Sequence, residues 1–164
     1  MAINMKELKK FVKGFGYAFE GIITALKTEC NMRVHFVCMA YMYFFLLAFD
    51  FFEITGTQFA IIFIANGLVI GGELINTAVE ATVDMHGKVH TSLGKIAKDT
   101  AAGAVLVFAV AAVACGIAIM YQPTAFKLLF EYFTTHILSL ILFIVSLAAA
   151  VLFILFGFGK KEKK

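Results

Sequence analysis

Four polar side chains recur at intervals of three and four along an apolar stretch. They are Glu73, Asn76, Glu80 and Asp84, within Glu73-Leu-Ile-Asn76-Thr77-Ala-Val-Glu80-Ala-Thr-Val-Asp84. That spacing keeps them on one stripe of a helix. Carboxylates at the end of a membrane-length apolar run are costly, and by default they mark a functional site. Such oxygens can hold a hard divalent cation, and a carboxylate can take a proton from a hydroxyl at the same depth. Asn76 and Thr77 alone could serve as hydrogen-bonding glue between helices. Glu73 and Glu80 resist that reading because no basic residue shares their stripe. They need a cation, a proton or a distant partner.

Composition dictates the elements that must position these groups. The chain has 164 residues, 62% hydrophobic and only 15% charged, with a mean hydropathy of +0.92. A soluble domain of this size could not hide so much apolar surface, so the expectation is an all-α integral membrane protein. The net charge of +3 is small, and its placement says more than its size. Nothing points to a nucleic-acid partner. Cys30, Cys38 and Cys115 are an odd number without CxxC spacing, which argues for free thiols rather than disulfides or a zinc site. The N-terminal lysines alternate with apolar residues, unlike a signal peptide. No Walker A pattern, kinase Gly-rich loop or dinucleotide fingerprint is present.

Residues 5–31 read as an amphipathic helix. Leu8, Phe11, Val12, Phe15, Phe19, Ile22, Ile23 and Leu26 fall on one face, with Lys6, Lys9, Lys10, Lys13, Glu20 and Lys27 elsewhere. A helix of this kind lies in the membrane interface with its lysines toward anionic head groups. Four spans follow, at about residues 34–52, 54–83, 100–121 and 137–158. Lysine and arginine placement puts both termini and the 84–99 loop in the cytoplasm, with Lys127 alone on the other side. The second span is about 45 Å long at roughly 1.5 Å per residue, against a hydrocarbon core of about 30 Å. Measured from the outer surface, it reaches the inner interface near Glu73. Glu80 and Asp84 then project into the head-group zone, at the level of a soluble phosphate donor.

Glu29 closes the amphipathic helix and shares that level. Mg²⁺ is commonly held by one or two carboxylates plus substrate phosphates, a pattern that Glu29 with Glu80 fits. Lys98-Asp99 opens the third span. Two readings stand side by side: a lysine anchor with an aspartate helix cap, or phosphate contact by Lys98. Gly67-x-x-x-Gly71, with Gly72 beside it, permits close helix contact, as does Ala101-Ala102-Gly103-Ala104. His86 and His90 read as loop histidines without ligands, because Gly87 interrupts their helical spacing. His136 reads as an interface residue.

Several segments, taken together, resemble the small prokaryotic diacylglycerol kinase family, whose Gram-positive branch includes undecaprenol kinases. They are Phe15-Gly16-Tyr17-Ala18-Phe19-Glu20-Gly21, Ala25-Leu26-Lys27-Thr28-Glu29-Cys-Asn31-Met-Arg33-Val-His35, the Glu73–Asp84 stripe, and Ala97-Lys98-Asp99-Thr-Ala-Ala. They run in family order across residues 8–120. The resemblance implies a lipid kinase of the bacterial cell membrane that uses ATP and Mg²⁺. It implies a homotrimer with active sites shared between subunits, each subunit carrying an interfacial helix and three spans. It assigns the catalytic base to Glu73 and the metal to Glu29 and Glu80. ATP contacts fall on Lys10, Tyr17, Glu29, Glu80, Lys98 and Asp99. Asn76, Arg33 and Asp84 become supporting or lipid-binding residues.

Two features depart from the family pattern. Lys88-Val89-His90-Thr91 stands where the family carries an E-Y-H segment, with the histidine one place early. The fourth span lies outside the three-span core, which gives a division into a kinase core, residues 1–122, and an added helix with a basic tail, residues 123–164. The Asn-x-Arg-x-His segment favours undecaprenol over diacylglycerol as the acceptor. The rival class is a cation transporter or channel subunit, which would spread its acids across the bilayer depth. A noncatalytic membrane scaffold gives no reason for the Glu73 stripe.

Overall fold

The computed structural model of the protein describes residues 4–85 and 91–157. All regular structure among them is helical. His86, His90, the Lys88–Val89–His90 stretch and the basic tail from Lys160 lie outside the described residues.

Helix α1 (Met5–Thr28) begins at Asn4, whose side chain accepts from the Lys6 amide at 3.1 Å. It ends three residues before the expected boundary of residue 31, because Glu29 leaves helical geometry at φ −104° and ψ 122°. Helix α2 (Cys30–Ala48) starts at once, so Glu29 is a one-residue joint. Helix α3 (Gly56–Met85) follows a reciprocal cap: the Thr55 hydroxyl accepts from the Gln58 amide, and the Gln58 side chain accepts from the Thr55 amide. Helix α4 (Ser92–Met120) is capped by the Thr91 hydroxyl, which accepts from the Gly94 amide. It therefore starts eight residues before the expected Thr100. Asp99 lies well inside α4, and the reading of it as a helix cap does not hold.

A short helix, α5 (Pro123–Thr135), then precedes α6 (Ile137–Phe156). Pro123 suits a first helical turn, where its missing N–H costs nothing. The sequence reading passed over α5 because thirteen residues are too few for a span. Helices α2, α3, α4 and α6 are each long and apolar enough to cross a membrane, which matches the four expected spans.

The main packing is the α3–α4 pair. Gly72 is the point of closest approach: a Cβ there would stand 2.8 Å from the Phe108 ring. Gly67, Gly71 and Gly103 have nothing within 4 Å of that position. The close contact expected of the glycine stripe therefore falls on Gly72 alone within this chain. Helix α1 engages the bundle only at its last turns, where Ala25 and Leu26 pack with Met32 of α2 against Ile70 and Leu74 of α3. Residues 4–21 are exposed throughout, as suits a helix lying in an interface.

The bundle has two distinct ends. At one, Phe45, Phe49, Phe51, Tyr132, Phe133 and Phe143 form a chain of ring contacts joining α2, α5 and α6. Phe49, Tyr132, Phe133 and Phe143 help line a cavity of about 480 Å³, together with Tyr41 and Ser146, whose side-chain oxygens hydrogen-bond at 2.9 Å. At the other end α1 finishes, α2 begins, α3 finishes and α4 begins. The acids lie there.

Candidate active site

Glu73 sits on the face of α3 that turns into the bundle and is 1% exposed. Its partner comes from another helix. His35 of α2 places Nε2 at 3.3 Å from Glu73 Oε1, although that oxygen accepts no well-aligned hydrogen bond. One turn on, Asn76 is buried and its Nδ2 donates to Glu80 Oε1 at 2.9 Å. The Asn76 Oδ1 is buried without a partner among the described residues. Thr77 turns its hydroxyl back onto the Glu73 carbonyl at 2.9 Å. The stripe is therefore a connected array, with one aligned face of α3 presenting Glu73, Asn76 and Glu80 in order.

Glu29 reaches the same array from the α1–α2 joint. Glu29 and Glu80, both half-buried, are the two charges close enough to act on Glu73. Among the described residues, no lysine or arginine pairs with any of the three. Three carboxylates facing one histidine repel one another, and a divalent cation would relieve that repulsion. Among the described residues, no three His, Cys, Asp or Glu side chains converge tightly enough to hold a metal ion unaided. Two carboxylates offering hard oxygens suit Mg²⁺ that arrives with most of its shell supplied by water and nucleotide phosphates.

Lys98 and Asp84 close this end of the α3–α4 pair. The Lys98 ammonium donates to Asp84 Oδ1 at 2.6 Å, and neither side chain is buried. Lys98 is thus held beside the acid stripe. Asp99 is exposed on α4.

Lys10 and Tyr17 stand apart from this cluster. Tyr17 is 70% exposed, and Lys10 lies on a shallow groove of α1 with Phe11 and Gly14. Tyr17 precedes Glu29 by roughly 18 Å of helix, at about 1.5 Å per residue. One chain does not bring these two residues to the acids.

Arg33 turns inward, 4% exposed, and pairs with no acid among the described residues. Its guanidinium donates to the backbone carbonyls of Leu26, Lys27 and Ile154. The residue that sequence reasoning left without a role is His35. Its signal was legible as the one ionisable group within the apolar stretch of the first span, but its partner lies on a different helix.

The matches to known proteins fall on this same region. Residues 16–120 match the prokaryotic diacylglycerol kinase family. The chain is 40% identical to the undecaprenol kinase of Bacillus subtilis (strain 168) over 118 residues, which are 71% of this chain and 92% of that one. It is 38% identical to the diacylglycerol kinase of Synechocystis sp. over 111 residues, 66% of this chain and 61% of the relative, so the chain spans under two thirds of that protein. No solved structure matches. The family match ends where α4 ends and leaves α5 and α6 outside it. Within it lie Glu29, His35, Glu73, Asn76, Glu80 and Lys98, every residue of the buried acid array and its borders. On the strength of that coverage, the chain belongs to the prokaryotic diacylglycerol kinase family.

Proposed function

We propose that the protein phosphorylates the hydroxyl of a membrane lipid alcohol, undecaprenol, with ATP as the phosphoryl donor. The observation that carries this reading is the placement of Glu73. It is a fully buried carboxylate on a membrane-length helix, paired across the bundle with a histidine and flanked by two further acids. The 40% identity to an undecaprenol kinase over nearly all of that protein supports the choice of acceptor.

In this reading Glu73 accepts the lipid hydroxyl proton. The freed oxygen attacks the γ-phosphorus in line, and ADP departs as the bridging P–O bond breaks. His35 keeps the Glu73 carboxylate aimed and in place. Asn76 holds Glu80 by its amide, which orients a metal ligand from the second shell. Glu29 and Glu80 would hold Mg²⁺, which would neutralise phosphate charge. Lys98, kept near by Asp84, contacts the nucleotide phosphates. Positioning and charge stabilisation supply most of the acceleration.

The acids occupy the cytoplasmic side of the bacterial cell membrane, with both termini in the cytoplasm. Residues 1–122 form the kinase core. Lys10, Tyr17 and Asp99 complete the nucleotide site, with α1 of one subunit serving a neighbour in a homotrimer. This accounts for the distance between Lys10 and Tyr17 and their own chain's acids.

Glu73→Gln tests the reading. The amide keeps the size and removes the base, whose contribution is about 10²–10⁴-fold. The expected result is a loss of that size in lipid phosphorylation by a folded protein that still binds MgATP. Near-normal turnover would remove Glu73 from the mechanism.

A further inference from the structure

The joint between α1 and α2 is one residue long, and that residue is Glu29. Arg33 straddles it. On the near side, its Nη1 donates to Leu26 O at 3.1 Å and Lys27 O at 3.2 Å, both in the last turn of α1. On the far side, its backbone amide donates to Glu29 O at 3.4 Å. Its Nε donates to Ile154 O at 2.9 Å, in the last turn of α6, and the Cys30 thiol points at the same oxygen. Last-turn carbonyls lack helical partners and carry the negative end of the helix dipole. One guanidinium therefore satisfies the ends of two helices and is buried without needing a carboxylate.

The α6 side is shaped for this. Gly157 closes α6 at φ +63°, a conformation that L side chains rarely adopt. A Cβ there would meet Arg33 Nη1 at 3.2 Å. Met32, next in sequence to Arg33, is fully buried in the same joint. A planar fork suits this set of acceptors, which a lysine ammonium could not span.

We infer that Arg33 is a positioning residue that fixes the direction of Glu29 by locking the α1–α2 joint. The last turn of α6, which lies outside the family match, is part of the same lock. The inference rests on the proposed role of Glu29 in holding the metal. It gives the fourth span a task at the active site without any ionisable group of its own.

The test uses the full chain in nanodiscs with Mn²⁺ and a non-hydrolysable ATP analogue. Bound Mn²⁺ is read by electron paramagnetic resonance, beside the Mg²⁺ dependence of turnover. Glu29→Gln sets the scale. Arg33→Ala should weaken Mn²⁺ binding by about tenfold or more, as supporting-shell changes do. Arg33→Lys should recover part of that loss. Gly157→Val, which leaves Arg33 intact and pushes on it from α6, should shift Mn²⁺ binding in the same direction. Arg33→Ala added to Glu29→Gln should bring little further loss, since both act through one ligand. A purely structural Arg33 would lower the folded fraction and leave the affinity of folded protein unchanged, which overturns the inference. Should Arg33→Ala not fold, unchanged Mn²⁺ affinity in folded Gly157→Val and Arg33→Lys overturns it equally. If Glu29→Gln itself leaves Mn²⁺ binding intact, the ligand assignment fails and the inference falls with it. If Glu29→Gln weakens binding and the Arg33 variants do not, only the inference fails.

Discussion

The last turns of α3 and the first two thirds of α1 carry the residues expected to do the chemistry, yet they are built in opposite ways. On α3, Glu73 is buried beside His35, and Asn76 is buried and hydrogen-bonded to Glu80. On α1, Lys10 and Tyr17 are exposed, along with Phe11, Phe15 and Phe19. The acids of α3 meet His35 and Glu29 within one chain. The first two thirds of α1 stay exposed along their whole length. Residues that must hold charge in an apolar setting have to be preorganised, because the bilayer offers them no water. Residues that meet a soluble ligand at the interface can wait for the membrane or a neighbouring subunit.

After Glu73→Gln, the largest effects are expected at the two acids proposed to hold the metal. Glu29→Gln and Glu80→Gln should each raise the Mg²⁺ requirement by at least about 10–100-fold, the scale on which even outer-shell partners of a metal act. The double mutant should lose less than the product of the two, because ligands of one ion are coupled. Independent, multiplying losses in metal titrations would mean that the two acids do not share an ion.

Smaller effects are expected on α1. Lys10→Ala and Tyr17→Ala should raise KM for ATP by roughly tenfold, about 1.4 kcal/mol of binding, with metal affinity little changed. Mixing sharpens this: co-assembled Lys10→Ala and Glu73→Gln subunits should show turnover at low ATP that neither variant shows alone. Mixed assemblies no faster at low ATP than their parents would place the whole site within one chain.

A chain ending at Gln122 loses α5, α6 and the Ile154 carbonyl. It should still phosphorylate lipid, with a raised Mg²⁺ requirement and lower stability. Activity per folded assembly is the measurement, and a folded but dead core would make α6 part of the chemistry. The smallest change belongs to Lys98. Its contact with Asp84 lies between unburied side chains, and such pairs contribute less than about 1 kcal/mol. Lys98→Ala should therefore leave thermal stability nearly unchanged while weakening ATP. A large stability loss with normal ATP affinity would make Lys98 a fastener of α3 to α4 and nothing more.

Much of this architecture is legible in the residues themselves. The four spans follow from apolar length, and the one-sided stripe from intervals of three and four. What escaped was long-range or local. The His35–Glu73 contact joins residues on different helices, which no spacing reveals. Asp99 reads as a cap because the polar stretch before it hides a helix start, which Thr91 sets eight residues before the expected one. Helix α5 was missed because its apolar spacing is too short to span anything. The Arg33 lock was invisible because all three guanidinium acceptors are backbone carbonyls, one of them from a helix over a hundred residues away.

The central claim is that the buried acids transfer phosphate from ATP to a lipid hydroxyl. The most direct measurement gives purified protein in nanodiscs γ-labelled ATP with undecaprenol and diacylglycerol in parallel, and follows label into each lipid. The account predicts Mg²⁺-dependent labelling of undecaprenol, faster than of diacylglycerol. Faster labelling of diacylglycerol would correct the acceptor and keep the chemistry. Label reaching neither lipid, from protein shown to be folded and to bind nucleotide, would contradict the account.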